Sequence, residues 1–329
     1  MTARSVRIGE SLAALGYRAA WATAPLVSNR AGLAALNRVA DTLVDRRGPS
    51  VVQLARNLRR VLGSGATPSA LHAVTQAGMR SYGRYWWETF RLHRMDLLSV
   101  TQQGLASTVG TGNIVSARDA GRGIIVALPH SGNWDVAGLS LGSLTGGITA
   151  VAERLRPESL YRRFMSYREG LGFEILPLES DARGSANTAG VLRQRLREGR
   201  MVCLVADRDI AGNGVPVTFF GERTTMPAGP AMLAARTGAA LLPAHLAYAD
   251  DGWIQTIGAP LEFSGDRLVD RVRNGTQMLA NFFEEHIAMF PADWHMLQPF
   301  WEEDRQSRGS VGDQSGHGEV GSEGEATSR

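Results

Sequence analysis

The chain has 329 residues, of which 43% are hydrophobic and 20% are charged, so it can bury a full core and is neither fibrous nor disordered as a whole. Its 35 basic residues are all arginine and face 32 acidic ones, and a net charge of only +3 does not indicate a nucleic-acid partner. The single cysteine, Cys203, excludes a disulfide framework and a cysteine-rich zinc module and favours a reducing compartment.

The first hundred residues have the apolar spacing of helices. Val51, Leu54 and Leu58 recur at three- and four-residue intervals, without strand-like alternation. We therefore expect a helical region over residues 1–100.

Ser11 to Val27 is the most apolar stretch near the start of the chain. An arginine interrupts it, so we expect no membrane-spanning helix. Arginines at its edge and aromatic rings within it suit a helix that lies among lipid headgroups, and a signal peptide is the alternative interpretation. The residues concerned are Arg4, Arg7, Tyr17, Arg18 and Trp21. We expect this segment to dock on an anionic membrane surface.

Residues 101–303 change to short apolar runs that alternate with helical patterns, as in a largely parallel sheet covered by helices on both faces. We expect an α/β domain with about seven strands, closed by a long helix from Asp266 to Met289. The predicted strands are Ile124 to Leu128, Ile148 to Ala152, Phe173 to Leu178, Met201 to Ala206, Val215 to Phe220, Ala240 to Tyr248 and Trp253 to Leu261. Residues 304–329 are mostly Gly, Ser, Glu and Gln and are expected to form a disordered tail.

The segment from Leu128 to Asp135 carries the first chemical signal. His130 follows a strand, and ligands of open α/β sheets bind outside the carboxyl ends of the strands. Asp135 falls in the first turn of the next helix, where its carboxylate can hydrogen-bond the imidazole and stabilise the imidazolium, which would make His130 a general base. A buried structural histidine, with Asp135 as a helix cap, is the alternative.

Two further strand ends carry charged residues. Glu153 ends the second strand and Arg168 lies on the helix that follows, so a Glu153–Arg168 pair is expected at the crevice, with a plain ion pair as the alternative. Asp207 and Arg208 end the strand Met201 to Ala206, where a solvated turn is the alternative. Three strand ends that converge with titratable residues favour a site.

Other candidates fail. Ser140 lies in a Gly-x-Ser-x-Gly pattern but inside a helix, and a nucleophilic serine needs a strand-to-helix turn. Cys203 sits within a strand and is expected to be a core thiol. His295, beside Trp294, is expected to pack. The aromatic and basic helix face from Tyr85 to Arg94 is expected in the core, with a membrane or acyl-chain contact as the alternative.

Several blocks along the chain carry a family resemblance. With the His-x-x-x-x-Asp block they are Val151 to Arg154, Tyr167 to Phe173, Ala206 to Asp209, Phe219 to Glu222, Pro227 to Pro230 and Asp293 to Gln298. In this order they resemble the bacterial lipid A biosynthesis acyltransferase family over roughly residues 5 to 302. Within it they most resemble the actinobacterial branch that acylates phosphatidylinositol mannosides.

The resemblance implies a glycerol-3-phosphate acyltransferase-like α/β fold and transfer of a palmitoyl-type chain from acyl-CoA to a mannose hydroxyl of a phosphatidylinositol mannoside. It implies a peripheral protein at the inner face of the plasma membrane, with no metal and no cofactor besides the co-substrate. By position it makes His130 the base and Asp135 its partner. Glu153, Arg168, Asp207 and Arg208 would bind substrate. The branch commonly has Glu where this chain has Asp207, which shortens that side chain by one methylene.

Because a thioester is already activated, the reaction needs only a base and donors for the tetrahedral oxyanion. We expect those donors among the backbone amides after His130 and at Ala206. A lipid A-type or other glycolipid acyltransferase, a lipid hydrolase that uses the same crevice, and a noncatalytic lipid-binding protein are the alternative functions.

Overall fold

The computed structural model describes residues 16–153, 157–178 and 182–305. The predicted tail lies outside them except for residues 304 and 305, and so does the start of the predicted docking segment, residues 1–15.

The N-terminal region is helical, in line with its apolar spacing. Helices α2 and α4 begin at Ser28 and Thr67, whose side chains accept hydrogen bonds from backbone N–H groups of the first turn. The helices are α1 (16–23), α2 (Asn29–Asp45), α3 (Pro49–Leu62), α4 (Pro68–Leu92) and α5 (Leu97–Ala106), and a 3₁₀ turn covers Ala24–Leu26.

The predicted fold class is confirmed by a seven-stranded sheet in the order β1-β9-β8-β2-β5-β3-β4. Every neighbouring pair is parallel except β8 with β9. The strands are β1 (Thr108–Val109), β2 (Ile124–Leu128), β3 (Ile148–Glu153), β4 (Phe173–Leu178), β5 (Met201–Val205), β8 (Ala240–Tyr248) and β9 (Trp253–Ile257). A separate antiparallel hairpin joins β6 (Val215–Phe219) to β7 (Glu222–Met226).

Helices cover both faces of the sheet. They are α6 (Thr111–Asp119), α7 (Trp134–Ser143), α8 (Glu158–Gly170), α9 (Ala182–Arg197), α10 (Gly229–Thr237) and α11 (Leu268–Met289). Alternate residues of β2 enter two different buried clusters, Ile124 and Val126 on one face and Ile125 and Ala127 on the other. This alternation follows from the two-residue period of a strand, and it explains why the whole strand is apolar.

The aromatic residues of α1 face the core. Trp21 is only 4% exposed and packs edge to face on Phe90 and Phe164, with ring centroids 5.1 and 4.8 Å away. Tyr17 contacts Phe90 and Phe164 as well, at 6.0 and 6.1 Å. The prediction that these two rings lie in the lipid headgroup region is therefore wrong, because α4 and α8 provide apolar partners for them. Within the ranges described above, no helix is long and apolar enough to cross a membrane.

The strand order brings two distant segments together. β5 lies between β2 and β3, and Leu128 is in register with Val205. The residues two positions beyond these, His130 and Asp207, therefore leave the sheet side by side at its carboxyl edge.

Candidate active site

His130 forms a dyad with Asp207. Its ring Nδ1 lies 2.5 Å from Asp207 Oδ1, and its backbone N–H donates to Oδ2 of the same carboxylate at 2.9 Å. The Trp294 indole donates to that oxygen as well, at 3.0 Å. Asp207 is fully buried, whereas the His130 side chain is 38% exposed, so the carboxylate holds the ring from beneath and leaves the other ring nitrogen open.

The carboxyl of Asp207 is held ionised. Burial by itself raises the pKa of Asp207, but the charge of His130 and the hydrogen bonds from His130 and Trp294 outweigh it and lower the pKa below its usual value. An ionised carboxylate only accepts hydrogen bonds. In its neutral form the His130 ring therefore carries its proton on Nδ1 and has the free lone pair on Nε2. Such a ring can take a proton from a hydroxyl group.

The predicted hydrogen bond between His130 and Asp135 is not the one found. The fully buried Asp135 carboxylate accepts from Arg168 Nε at 3.0 Å and from the Tyr167 hydroxyl at 3.5 Å. The Arg168 guanidinium also lies over the Trp134 ring, 4.1 Å from its centroid. Asp135 lies in the first turn of α7, next to Trp134. Its buried carboxylate neutralises Arg168, which packs on the Trp134 ring.

The predicted pair of Glu153 with Arg168 is likewise replaced. Glu153, at the end of β3, accepts from Arg208 at 3.0 Å. Because β5 lies next to β3, Arg208 is the closer arginine, and Arg168 on α8 turns to Asp135 instead. The Glu153 side chain is 51% exposed and that of Arg208 22%, so this ion pair lies at the surface of the crevice.

The backbone amides that we expect to bind an oxyanion are already engaged. The N–H groups of Ser131, Gly132 and Ala206 donate to backbone carbonyls at 2.8, 3.1 and 2.8 Å. Gly132 also shows why the turn after His130 is so tight: its φ is +54°, and a Cβ there would lie 2.8 Å from Leu246. The motif loop is therefore fixed by its own backbone, and those three amides do not face a substrate.

A cavity of about 580 Å³ surrounds the open side of His130. Its lining residues fall into two groups, one on each face of the sheet, and we call these two groups the arms of the cavity. The aromatic arm lies on the face that α4, α7 and α8 cover, and its walls are Tyr85, Trp86, Trp134, Phe164 and Arg168. Glu153 and Arg208 line the cavity near its middle.

The second arm is a largely apolar channel between α9 and α10 on the other face, with Arg193 and Arg236 also in its lining. It is lined by positions 185, 188, 189 and 192 of α9 and 229, 232, 233 and 236 of α10, and both sets have the spacing of one helix face. Each helix leads into a strand parallel to β2, so both run away from the carboxyl edge. At 1.5 Å per residue the channel follows them for about 10 Å. Ala189, Leu192 and Leu233 give it an apolar wall.

Three candidates that the sequence disfavours as site residues have structural roles. Ser140 is buried inside α7 and donates to the Val136 carbonyl at 3.0 Å. Burial raises the pKa of the Cys203 thiol to about 12. His295 contacts the Ser81 hydroxyl through Nε2 at 2.8 Å, and burial together with the charge of His130 lowers its pKa to about 3, so it stays neutral. Among the described residues, His, Cys, Asp and Glu side chains form no group of three that could hold a metal ion.

Sequence reasoning missed one contributor to the dyad. Trp294 is fully buried and donates to Asp207, and its backbone bridges to Ser131. A tryptophan beside His295 indicated a packed C-terminal segment, but nothing in its spacing connects it to residue 207.

Comparison with known proteins places the chain in a family. The profile of the bacterial lipid A biosynthesis acyltransferases matches residues 4–303. The chain belongs to this family. It is 45% identical over 297 residues to the phosphatidylinositol mannoside acyltransferase of Mycolicibacterium smegmatis, covering 90% of this chain and 93% of that one. It is 46% identical over 288 residues to the protein of the same name from Mycobacterium tuberculosis, covering 87% of each. The resemblance inferred from the motifs is confirmed, and the chain is an acyltransferase.

Proposed function

We propose that the chain moves a palmitoyl-type acyl group from acyl-CoA to a mannose hydroxyl of a phosphatidylinositol mannoside. The observation that carries this proposal is the His130–Asp207 dyad at the junction of two cavity arms. A transferase needs room for two substrates at one base, and the names of the mycobacterial relatives supply the acceptor.

In the proposed reaction His130 Nε2 removes the proton from the mannose hydroxyl while its oxygen attacks the thioester carbonyl. The tetrahedral intermediate then collapses and expels the thiolate of CoA, which receives the proton from the imidazolium. Asp207 stabilises the imidazolium between these steps. No covalent acyl-enzyme is required, and this agrees with the buried positions of Ser140 and Cys203.

The two arms suit different substrates. The channel between α9 and α10 is largely apolar and runs along two helix faces, so we assign it to the acyl chain. The aromatic arm combines flat rings with the Arg168 guanidinium, and we assign it to the acceptor, whose sugar and phosphate match rings and a planar cation. Arg208 lies between the arms, where its positive charge favours the developing oxyanion.

We assign membrane docking to a surface near the aromatic arm, at the inner face of the plasma membrane. Leu26 is 84% exposed, Val27 40%, Met95 39% and Leu98 67%. Arg91 joins the first pair to the end of α4 by donating to the backbone carbonyls of Ala24 and Val27. Exposed arginines at positions 18, 30 and 94 add attraction to anionic headgroups. The docking surface, defined by these four apolar residues and three arginines, replaces the buried Trp21.

Mass spectrometry of lipid products tests the proposed function. The full chain is incubated with palmitoyl-CoA and phosphatidylinositol mannoside in anionic vesicles, and we expect an acylated mannoside that depends on both substrates. His130→Ala should lower turnover at least about 100-fold, since positioned bases contribute about 10²–10⁴. The matched control is His72→Ala, because His72 is exposed on α4 and outside the cavity.

Other products would identify other functions. Free fatty acid in excess of acylated lipid would make the protein a hydrolase. Unchanged acyl-CoA in the presence of bound lipid would make it a binding protein. His130→Ala within tenfold of the unmodified chain would reject His130 as the base.

A further inference from the structure

Asn133, inside the His-x-x-x-x-Asp block, fixes the start of α7. Its Oδ1 accepts from the backbone N–H groups of Asp135 and Val136 at 3.1 and 3.2 Å, so it is the N-cap of the helix that carries Trp134 and Asp135. Asn133 is 3% exposed. The first turn of α7 thus depends on which way the Asn133 amide is turned.

Glu88, from the N-terminal helical region, determines that orientation. Its Oε2 accepts from Asn133 Nδ2 at 2.7 Å and from Trp253 Nε1 at 2.9 Å. Its Oε1 accepts from Arg84 at 2.8 Å. All three partners are donors, and a carboxylate offers only acceptors. The NH₂ group of Asn133 must therefore face Glu88, and its oxygen must face the helix.

Arg84 keeps Glu88 in place. It donates to the carbonyls of Ala249 and Gly252 at 2.8 and 2.7 Å and lies over the Tyr248 ring at 4.1 Å. The Glu88 side chain is only 13% exposed. Arg84 and Glu88 together therefore join α4 to the β8–β9 turn and to the motif loop.

We propose that Glu88 is a positioning residue of the active site. Through Asn133 it sets the first turn of α7, and so the placement of Trp134 and of the Asp135–Arg168 pair that forms one wall of the aromatic arm. This inference rests on the proposed function, and it extends the active site into the N-terminal helices. Misplacement of an acceptor relative to His130 lowers turnover more than it lowers donor affinity.

A double-mutant cycle on kcat tests the coupling. Asn133→Ser keeps a capping oxygen but loses the NH₂ group that faces Glu88. We expect Glu88→Ala to lower kcat about tenfold or more, with the KM for palmitoyl-CoA changed less than about threefold. In the Asn133→Ser background the same substitution should lower kcat less than about twofold, because the contact is already absent.

The matched control is Asp41→Ala. Asp41 makes two hydrogen bonds of 2.7 Å with Arg80, which lies on the same helix as Glu88 but pairs with α2 and not with the motif loop. Its loss should lower the melting temperature and leave kcat unchanged. If Glu88→Ala does not fold, as judged by circular dichroism, Glu88→Gln is carried through the same cycle, because it keeps the size but brings an NH₂ group toward a donor.

Equal losses of kcat in the two backgrounds, or kcat values that stay unchanged as for Asp41→Ala, would overturn the positioning role. His130→Ala is measured alongside. If His130→Ala is inactive and the Glu88 variants are fully active, only this inference fails. If His130→Ala is active, the proposed function fails and this inference with it.

Discussion

Asp207 has one methylene less than the glutamate that the family resemblance suggests, yet both of its carboxylate oxygens contact His130. The reach is sufficient because β2 and β5 are adjacent and in register. The backbone N–H of His130 brings the motif loop toward the shorter side chain. Asp207 thus keeps its contact with His130 although its side chain is shorter than that of a glutamate.

Substitutions of the two aspartates should have different effects. Asp207→Asn removes the charge that stabilises the imidazolium and offers the ring a donor, so kcat should fall about 10²-fold or more with a nearly unchanged donor KM. Asp135→Asn leaves the Arg168 charge buried without a carboxylate, which costs about 3–5 kcal/mol of unfolding free energy. Steady-state kinetics and urea unfolding measure the two quantities. A fully active Asp207→Asn protein would contradict the dyad.

The acid side of the pH profile should report one group. Asp207, whose pKa lies below that of an ordinary aspartate, stays ionised at mildly acidic pH, and His295, with a pKa of about 3, stays neutral. A general base acts only when it is unprotonated, so the acid side of the profile should contain a single proton. We expect log kcat/KM to decline with a slope of one on acidification, and a slope of two between pH 5 and 8 would show that a second group is needed.

The side chains of the candidate site were predictable from the sequence, and their pairing was not. His130, Glu153, Asp207 and Arg208 follow strands, and the carboxyl ends of parallel strands share one edge. Which of them touch depends on strand order, and the sequence does not reveal that β5 inserts between β2 and β3. Chain proximity therefore suggested the wrong partner for both His130 and Glu153.

At the scale of single elements, the channel between α9 and α10 makes a prediction about acyl-chain length. Ala189 lines it, and Ala189→Phe should block it. Palmitoyl transfer should fall by about fourfold for each methylene that loses its buried position, from about 0.8 kcal/mol per methylene, while octanoyl transfer is retained. Initial rates with the two donors measure this ratio.

The control for the channel is Ala186→Phe, on the exposed side of the same helix. It adds the same ring without entering the cavity, so the ratio of palmitoyl to octanoyl transfer should not change. An unchanged ratio in Ala189→Phe would move the acyl chain to the aromatic arm.

Element prediction from the sequence succeeded where burial was strong. β2 is a fully buried, continuous apolar run, and β8 is buried up to its last residue. Both strands were predicted with correct bounds. β1, with two residues, and β7, with the sequence Glu-Arg-Thr-Thr-Met, lack such a pattern. Val215 to Phe220 was interpreted as one more strand alternating with helices. The observed strand, β6, pairs with β7 instead, because Phe220 and Gly221 turn the chain back at positive φ.

At the scale of the whole molecule, the docking surface predicts how the protein meets a membrane. Leu26→Asp should weaken binding to anionic vesicles about tenfold or more, because burial of a leucine side chain contributes about 1.5–3 kcal/mol. High salt should weaken binding of the unmodified protein. Co-sedimentation measures both effects, and Val269→Asp, with 52% exposure on α11, is the control. Binding of Leu26→Asp as tight as that of the control would place docking elsewhere.

The fold class of the whole chain followed from the alternation of apolar runs and helical patterns, but the inward packing of α1 did not. Tryptophan and tyrosine, such as Trp21 and Tyr17, occur both in protein cores and at membrane interfaces, so their residue type does not distinguish the two locations. Their position was decided by Phe90 and Phe164, which are distant in sequence and reach them only after α4 and α8 have packed.

The insertion of β5 between β2 and β3 has a consequence for synthesis on the ribosome. A nascent chain that has emerged only as far as residue 200 holds β2 and β3 without the strand that joins them, so each offers a bare edge to other chains. His130 at that stage has no carboxylate beneath it. Unfinished or prematurely terminated polypeptides should therefore be prone to aggregate, and they lack the His130–Asp207 dyad, which forms only when β5 joins β2.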